Sequence, residues 1–330
     1  MTAQRTPALL RAQGLSLTYG NGVRAMAGID FSVQRGEIVG LVGESGSGKS
    51  SLANVVLRLA DPDAGTLEFD GADMLGMNGR ALRRLRHRLQ VVPQDPATSL
   101  NPRLTVATSI EFNLRAQGWP GTKRRARVAE VLDLVGMDAG IGARRPHELS
   151  GGQNQRVAIA RALATNPDLV ICDEAVSALD KSVQAQILNL IAELQRDLEV
   201  AFLFISHDLT VVEHVSDRVL VMYLGHIVES GSAAAILREP AHPYTRALLA
   251  SVPRRDQPRV PLTGSPPDPA DPPSGCPFRT RCPHAIEACS TYDLTPIEIS
   301  AGHTAACLRT HDLPTAPSVT SLPLVPSRTP

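Results

Sequence analysis

Residues 43–50 read Gly-Glu-Ser-Gly-Ser-Gly-Lys-Ser, and their types and spacing suit the cradling of phosphate. Gly43, Gly46 and Gly48 let the backbone curl until successive N–H groups face inward at phosphate oxygens. Lys49 supplies a positive charge for the outer phosphates, and the Ser50 hydroxyl is a candidate magnesium ligand. Glu44, Ser45, Ser47 and Ser51 complete the candidate nucleotide-contacting set. The string Leu169-Val170-Ile171-Cys172 ends in Asp173, suited to holding a magnesium shell. Glu174 follows it, where a carboxylate can orient or deprotonate an attacking water. A third string, Ala201 to Ser206, ends in His207, which can bond the outermost phosphate and hold Glu174 in register.

The elements that must position these groups are legible around them. Glu37 to Val42 is a short, apolar, β-branched run of the kind that forms a buried parallel strand. Gly43 breaks it and helical spacing starts near Lys49, so the glycine loop lies between strand and helix and gains the positive end of the helix dipole. Residues 169–173 and 201–206 read as further core strands. Residues 8–35 and 63–72 read as strands with turns at Ala64-Gly65 and Asp70-Gly71, which predicts a small antiparallel sheet. Apolar residues at helical spacing (Val128, Val131, Leu132, Val135), interrupted at Gly118-Trp119-Pro120-Gly121, predict a helical lobe over about 96–165. No internal repeat appears, so the chain carries one such domain.

The string Leu149-Ser150-Gly151-Gly152-Gln153 completes a set of motifs in a telling order. With it, the chain resembles the ATP-binding subunit of an ABC transporter over roughly residues 8–240. The resemblance implies that Tyr19 stacks on adenine, in a chain only 3% aromatic. It implies that Gln94 senses magnesium and connects to a transmembrane partner, so that Ser50, Gln94 and Asp173 serve the metal. Leu149, Ser150, Gly151, Gly152 and Gln153 match the signature, which faces the ATP held by another subunit in a nucleotide-sandwich dimer. Ser177, Ala178, Leu179 and Asp180 match the D-loop. Lys49, Gln94, Glu174 and His207 form the expected catalytic set. Ala175-Val176 departs from the Pro-Thr of many relatives, at positions with no catalytic role.

The resulting fold expectation is an α/β P-loop NTPase core sheet with an antiparallel β subdomain, a helical signature lobe and an irregular C-terminal cysteine module. The nucleotide-binding domain is expected over 1–238 and the extension over 239–330. Only 123 residues separate Lys49 from Asp173, too few for the long coiled coil or zinc insertion of DNA-repair and chromosome ATPases. A translation-factor ATPase would carry two such domains. Intact Glu174 and His207 argue against a regulatory module without turnover. Lys and Arg (33) balance Asp and Glu (33), so no nucleic-acid partner is advertised. The basic clusters at Arg80–Arg88 and Lys123–Arg125 read as solvated helix faces. No apolar run approaches the ~18 residues of a membrane span and no signal segment appears. These features lead to the expectation of a soluble, intracellular chain, and the resemblance to a transporter ATPase implies a peripheral subunit at the cytoplasmic face of the plasma (inner) membrane.

The tail has a different character. It holds 16 of the 26 prolines in its last 80 residues and four of the five cysteines, Cys276, Cys282, Cys289 and Cys307. Ser265-Pro266-Pro267-Asp268-Pro269 reads as an extended linker. The cysteine spacings match neither the CxxC pairs of zinc ribbons nor a bacterial ferredoxin run, and disulfides are disfavoured in a cytosolic chain. Unrelated surface cysteines remain open on spacing alone. Glu239 to Leu249, with Cys276 to Cys289 and Cys307, resembles the tail of peptide and nickel permease ATPases. Ser99 to Arg103 and Ser177 to Gln186 resemble the F-type member of dipeptide and oligopeptide permease pairs. This likeness implies a [4Fe–4S] cluster on the four cysteines, with Zn2+ as the alternative, beside ATP and Mg2+. It also implies a heterodimer with a second related ATPase, two membrane permease subunits and an extracytoplasmic substrate-binding protein. Di- or oligopeptide import is the expected function, with nickel or another small solute as the alternative. The ATP site is expected to stand on a core separate from the tail.

Overall fold

The computed structural model describes residues 7–95, 99–251, 262 and 264–313. Its strands are β1 (Leu10–Thr18), β2 (Arg24–Val33), β3 (Ile38–Val42), β4 (Ala64–Phe69), β5 (Ala72–Asp73) and β6 (Leu89–Val92). They continue with β7 (Leu169–Asp173), β8 (Ala201–Ser206), β9 (Arg218–Tyr223), β10 (His226–Ser232), β11 (Ile297–Ser300) and β12 (His303–Ala305). Among the described residues they form two sheets, ordered β2-β1-β4-β5 and β11-β12-β10-β9-β3-β8-β7-β6. The first is antiparallel. In the second, β3 runs parallel to both β8 and β9, and β7 runs parallel to both β6 and β8.

Burial explains the parallel centre. Every residue of β3 and of β8 is buried, as a strand covered on both faces requires, so each reads as a continuous apolar run. The register aligns Val42 with Ser206 and Asp173 with Ile205. The residues that follow these strands therefore leave the sheet at one edge, the carboxyl end, where ligands bind in open α/β sheets. Arg88 and Arg35 bind both Asp70 and Asp168, tying the antiparallel sheet to the core. Arg88 is thus a structural bridge rather than part of a solvated face.

Between the phosphate loop and β7 lie helices Val106–Ala116, Gly121–Leu134 and Gly151–Leu163. Ile110, Leu114, Val128, Val131, Leu132 and Val157 on these helices are buried in one cluster. Thr105 caps the first helix by accepting the Thr108 N–H at 3.2 Å. Gly118, at φ 75°, carries the chain out of it. The expected lobe begins at residues 96–98, which lie outside the described residues.

The tail is less irregular than the proline content suggests. Hairpin β11–β12 extends the large sheet at its β10 edge, pairing Glu229 with Ala305 and Ser230 with Thr304. Glu229, buried, accepts the Ala241 and His242 N–H groups at 2.7 and 2.9 Å and contacts His303 Nε2 at 2.8 Å. The hairpin forms because the β10 edge and this buried carboxylate offer partners that a short segment lacks on its own. Tyr244, Leu249, Cys276, Phe278 and Cys289 belong to the same hydrophobic cluster as the β8 residues Phe202 and Phe204. Burying Phe278 contributes about 1.5–3 kcal/mol, so the tail is held by the core.

Candidate functional site

The loop after β3 is built by close approach. A Cβ on Gly43 would stand 2.1 Å from the Met222 carbonyl oxygen, and one on Gly48 would stand 2.1 Å from that of Ala25. Gly48 also has φ 107°, which disfavours a side chain. The helix Lys49–Val56 starts immediately after it. Lys49, 5% exposed, donates from Nζ to the Gly43 and Glu44 carbonyls, each at 2.8 Å, with Ser47 Oγ at 3.4 Å. Burial lowers its pKa, while the charges of Glu174, Asp173 and Glu44 oppose that shift. Tyr19, 40% exposed, lies against the loop's exit, its Oη 3.1 Å from Ser51 Oγ.

Three strand ends bring the acids and their partners to this loop. Burial, then the neighbouring Glu174 charge, pushes the Asp173 carboxyl up; Lys49 and a hydrogen bond from Ser50 hold it down. Asp173 Oδ1 is buried with no hydrogen-bond partner among the described residues. A vacant carboxylate oxygen beside the Ser50 hydroxyl fits a magnesium ligand pair. Glu174 sits in the left-handed region at φ 47°, its N–H held by the Ile205 carbonyl at 3.0 Å. Such a backbone is strained for a non-glycine residue and fixes where the carboxylate points. Glu174 Oε2 accepts from Gln94 Nε2 at 3.0 Å and lies 3.4 Å from His207 Nδ1. Lys49, Gln94, Asp173, Glu174 and His207 are thus brought together.

The signature string is not part of that group. Ser150 caps the helix Gly151–Leu163: its Oγ accepts the Gln153 N–H at 3.3 Å, and Gln153 Oε1 accepts the Ser150 N–H at 3.0 Å. Ser150 and Gly151 are exposed, Leu149, Gly152 and Gln153 half-buried. No hydrogen bond or ion pair among the described residues links 149–153 to 43–51. A Cβ on Gly152 would lie 2.6 Å from Val183 Cγ1, so the signature turn abuts the helix Lys181–Leu198. Asp180 caps that helix, accepting the Ser182 and Val183 N–H groups at 3.1 and 3.0 Å. Ser177 returns its hydroxyl to the Glu174 carbonyl at 2.9 Å. Leu179 is half-buried against the core, and Ala178 is exposed.

Residue-type reasoning missed two partners of the loop. Arg281 grips the Glu44 carboxylate with two bonds, at 2.6 and 3.1 Å, and reaches Tyr223 Oη at 3.3 Å. Tyr244 Oη accepts the Glu44 N–H at 2.8 Å. The expected separation of ATP site and tail therefore does not hold, because two tail residues touch the loop. The cause is the shared core: the rings of Tyr223, Tyr244 and Phe278 meet at 4.6–5.4 Å and bring Arg281 to Glu44. No local pattern marks Arg281.

Cys276, Cys282, Cys289 and Cys307 line one small cavity together with His242, whose buried Nε2 has no hydrogen-bond partner among the described residues. Burial raises the Cys276 thiol to about 11 and also raises Cys282 and Cys307. Among the described residues no three His, Cys, Asp or Glu side chains stand close enough to hold a single metal ion.

The ABC transporter family profile matches residues 26–177, and the profile for the C-terminal region of oligopeptide/dipeptide transporters matches residues 228–289. A putative peptide import ATP-binding protein of Brucella ovis is 47% identical over 310 residues, spanning 91% of this chain and 98% of that protein. The chain belongs to this family of ABC transporter ATP-binding subunits. The oligopeptide transport ATP-binding protein AppF of Bacillus subtilis is 46% identical over 86% of this chain and 89% of its own length. Among solved structures, cbiO1 of Clostridium perfringens, part of an ABC transporter complex, superposes with a TM-score of 0.66 at 28% identity, covering 70% of this chain and 91% of that one. The ABC cassette MJ0796, solved as a dimer bound to ADP and Pi, gives a TM-score of 0.61 at 27% identity, over 68% of this chain and 98% of that one. An ABC ATP-binding subunit hydrolyses ATP in the service of transport and works with membrane permease subunits. No helix among the described residues is long and apolar enough to cross a membrane.

Proposed function

We propose that this chain is the ATPase of an importer of di- or oligopeptides, working from the cytoplasmic face of the inner membrane. One observation carries the reading. Lys49, Asp173, Glu174, Gln94 and His207 meet at one sheet edge, in a chain whose 228–289 segment matches the oligopeptide/dipeptide transporter region. Residues 43–51 hold the nucleotide, Tyr19 stacks on its base, and Ser50, Gln94 and Asp173 hold magnesium. Bound magnesium neutralises charge on the transferred phosphoryl group. Glu174, oriented by Gln94, His207 and its own strained backbone, takes the proton of the attacking water. Lys49 leaves the Gly43 and Glu44 carbonyls to meet the phosphates.

The exposed start of the signature helix suits a head-to-tail dimer, in which Leu149 to Gln153 serve a nucleotide held by a second, related ATPase. Ser177 to Asp180 then join the two sites. The open groove between Leu59 and Phe112, each 65% exposed, lies beside the strand leading to Gln94. Apolar groups exposed on a groove suit a docked segment of the permease subunits, which receive cargo from an extracytoplasmic binding protein. ATP closure of the dimer would be relayed through Gln94 to that groove.

The four cysteines around one cavity, beside a His242 Nε2 without a hydrogen-bond partner among the described residues, suit a [4Fe–4S] cluster better than one zinc ion. A single ion needs all four sulfurs about 2.3 Å from one centre. Cys276, Cys282, Cys289 and Cys307 would hold the cluster, and it would supply four covalent staples to a segment poor in core residues. The importer reading is tested by purifying the chain from membranes: permease subunits and a second ATPase should accompany it. Recovery of the chain alone, without any membrane subunit, would overturn it.

A further inference from the structure

We propose that Arg281 and Tyr244 are positioning residues for ATP, through which the cysteine-bearing tail sets the nucleotide affinity of the phosphate loop. This rests on reading residues 43–51 as that loop. Glu44, its second residue, is held at every polar group. Its N–H goes to Tyr244 Oη at 2.8 Å, its carboxylate to Arg281 at 2.6 and 3.1 Å, and its carbonyl accepts Lys49 Nζ at 2.8 Å. The tail thus grips, from outside, the residue that holds the phosphate-binding lysine from inside.

Electrostatics gives the grip its purpose. An unpaired carboxylate at the mouth of a phosphate cradle would repel the nucleotide it is meant to admit. Arg281 neutralises it from a site where its side chain is 3% exposed, between the rings of Tyr223 and Phe278, each 5.9 Å away. The paired, planar guanidinium fixes the carboxylate's direction as well as its charge. Arg281 is flanked by Phe278 in the core and by Cys282 in the cavity wall, so order in the cysteine module fixes where it stands. Among the described residues no hydrogen bond links Arg281 or Tyr244 to Asp173, Glu174 or His207; both bear on Glu44 in the loop, so the effect falls on binding and not on the chemical step.

The test measures Mg-ATP dissociation constants on the full chain, and KM and kcat for ATP in the assembled importer. Arg281→Gln should weaken binding and raise KM on the order of ten-fold, the scale of a lost charge-assisted hydrogen bond, with kcat little changed. Arg281→Lys should recover part of the affinity, and adding Glu44→Gln to Arg281→Gln should restore most of it by removing the repelling charge. Tyr244→Phe, which keeps the ring, should shift KM in the same direction by less, and stands in if Arg281→Gln fails to fold. An unchanged KM in these variants, a loss confined to kcat, or no rescue by Glu44→Gln would overturn the proposal. Lys49→Ala separates the two readings. If it still binds ATP normally, the assignment of the loop fails; if it is defective while Arg281→Gln and Tyr244→Phe are not, only the tail's role fails.

Discussion

Glu174→Gln is the sharpest perturbation of the site, because it swaps one oxygen for an NH2 group and leaves the shape alone. In the structure the lost oxygen faces two partners, Gln94 Nε2 at 3.0 Å and His207 Nδ1 at 3.4 Å. The Gln94 amide can turn over to present its own oxygen, so the ground state changes little. Removing the Glu174 charge also relieves one of the two influences that push Asp173 up, after burial, which favours the carboxylate that binds magnesium. Nucleotide binding should therefore persist. The attacking water loses its proton acceptor, a contribution of about 10²–10⁴ in rate, or about 3–5 kcal/mol of barrier at about 1.4 kcal/mol per decade. The assay is phosphate release by the assembled importer, with size-exclusion chromatography of the ATP-loaded variant to detect a trapped closed dimer. Hydrolysis near the parent rate would refute the role of Glu174.

Lys49→Ala should weaken Mg-ATP binding itself by about ten-fold or more, since a charge-assisted phosphate contact is lost in the ground state as well as the transition state; calorimetry on the full chain reads this. Gly152→Ala should hinder ATP-dependent dimerisation while leaving ATP binding to one subunit intact, because the new methyl would lie 2.6 Å from Val183 Cγ1; sedimentation with and without ATP decides it. Anaerobically purified chain should be brown and carry about four irons, and Cys289→Ser should abolish them and expose residues 264–313 to protease; one zinc and no iron would replace the cluster by zinc. Co-purified complexes should contain two different ATPases, and an active complex with this ATPase alone would exclude the heterodimer.

The legible parts of the chain were those whose causes are local. The strand–loop–helix around Gly43 to Ser50 reads from a buried apolar run and glycines at positions where a side chain would strike the Met222 or Ala25 carbonyls. The strand ends bearing Asp173 and His207 read the same way. The remainder depends on partners far along the chain. Arg281 meets Glu44 237 positions away, and Tyr244 meets it 200 positions away. Spacing could not relate them. The hairpin β11–β12 was invisible because its four- and three-residue strands need the β10 edge to form. The left-handed backbone of Glu174 likewise follows from the bond to Ile205 rather than from its own preference.

The most direct test of the account is transport itself. The chain would be reconstituted in vesicles with permease subunits, the proposed second ATPase and the proposed binding protein, and labelled peptide and radioactive nickel offered in parallel. ATP on the ATPase side should drive peptide across, and Glu174→Gln in this chain should stop it. ATP hydrolysis that moves nickel and no peptide, or that moves neither, would contradict it.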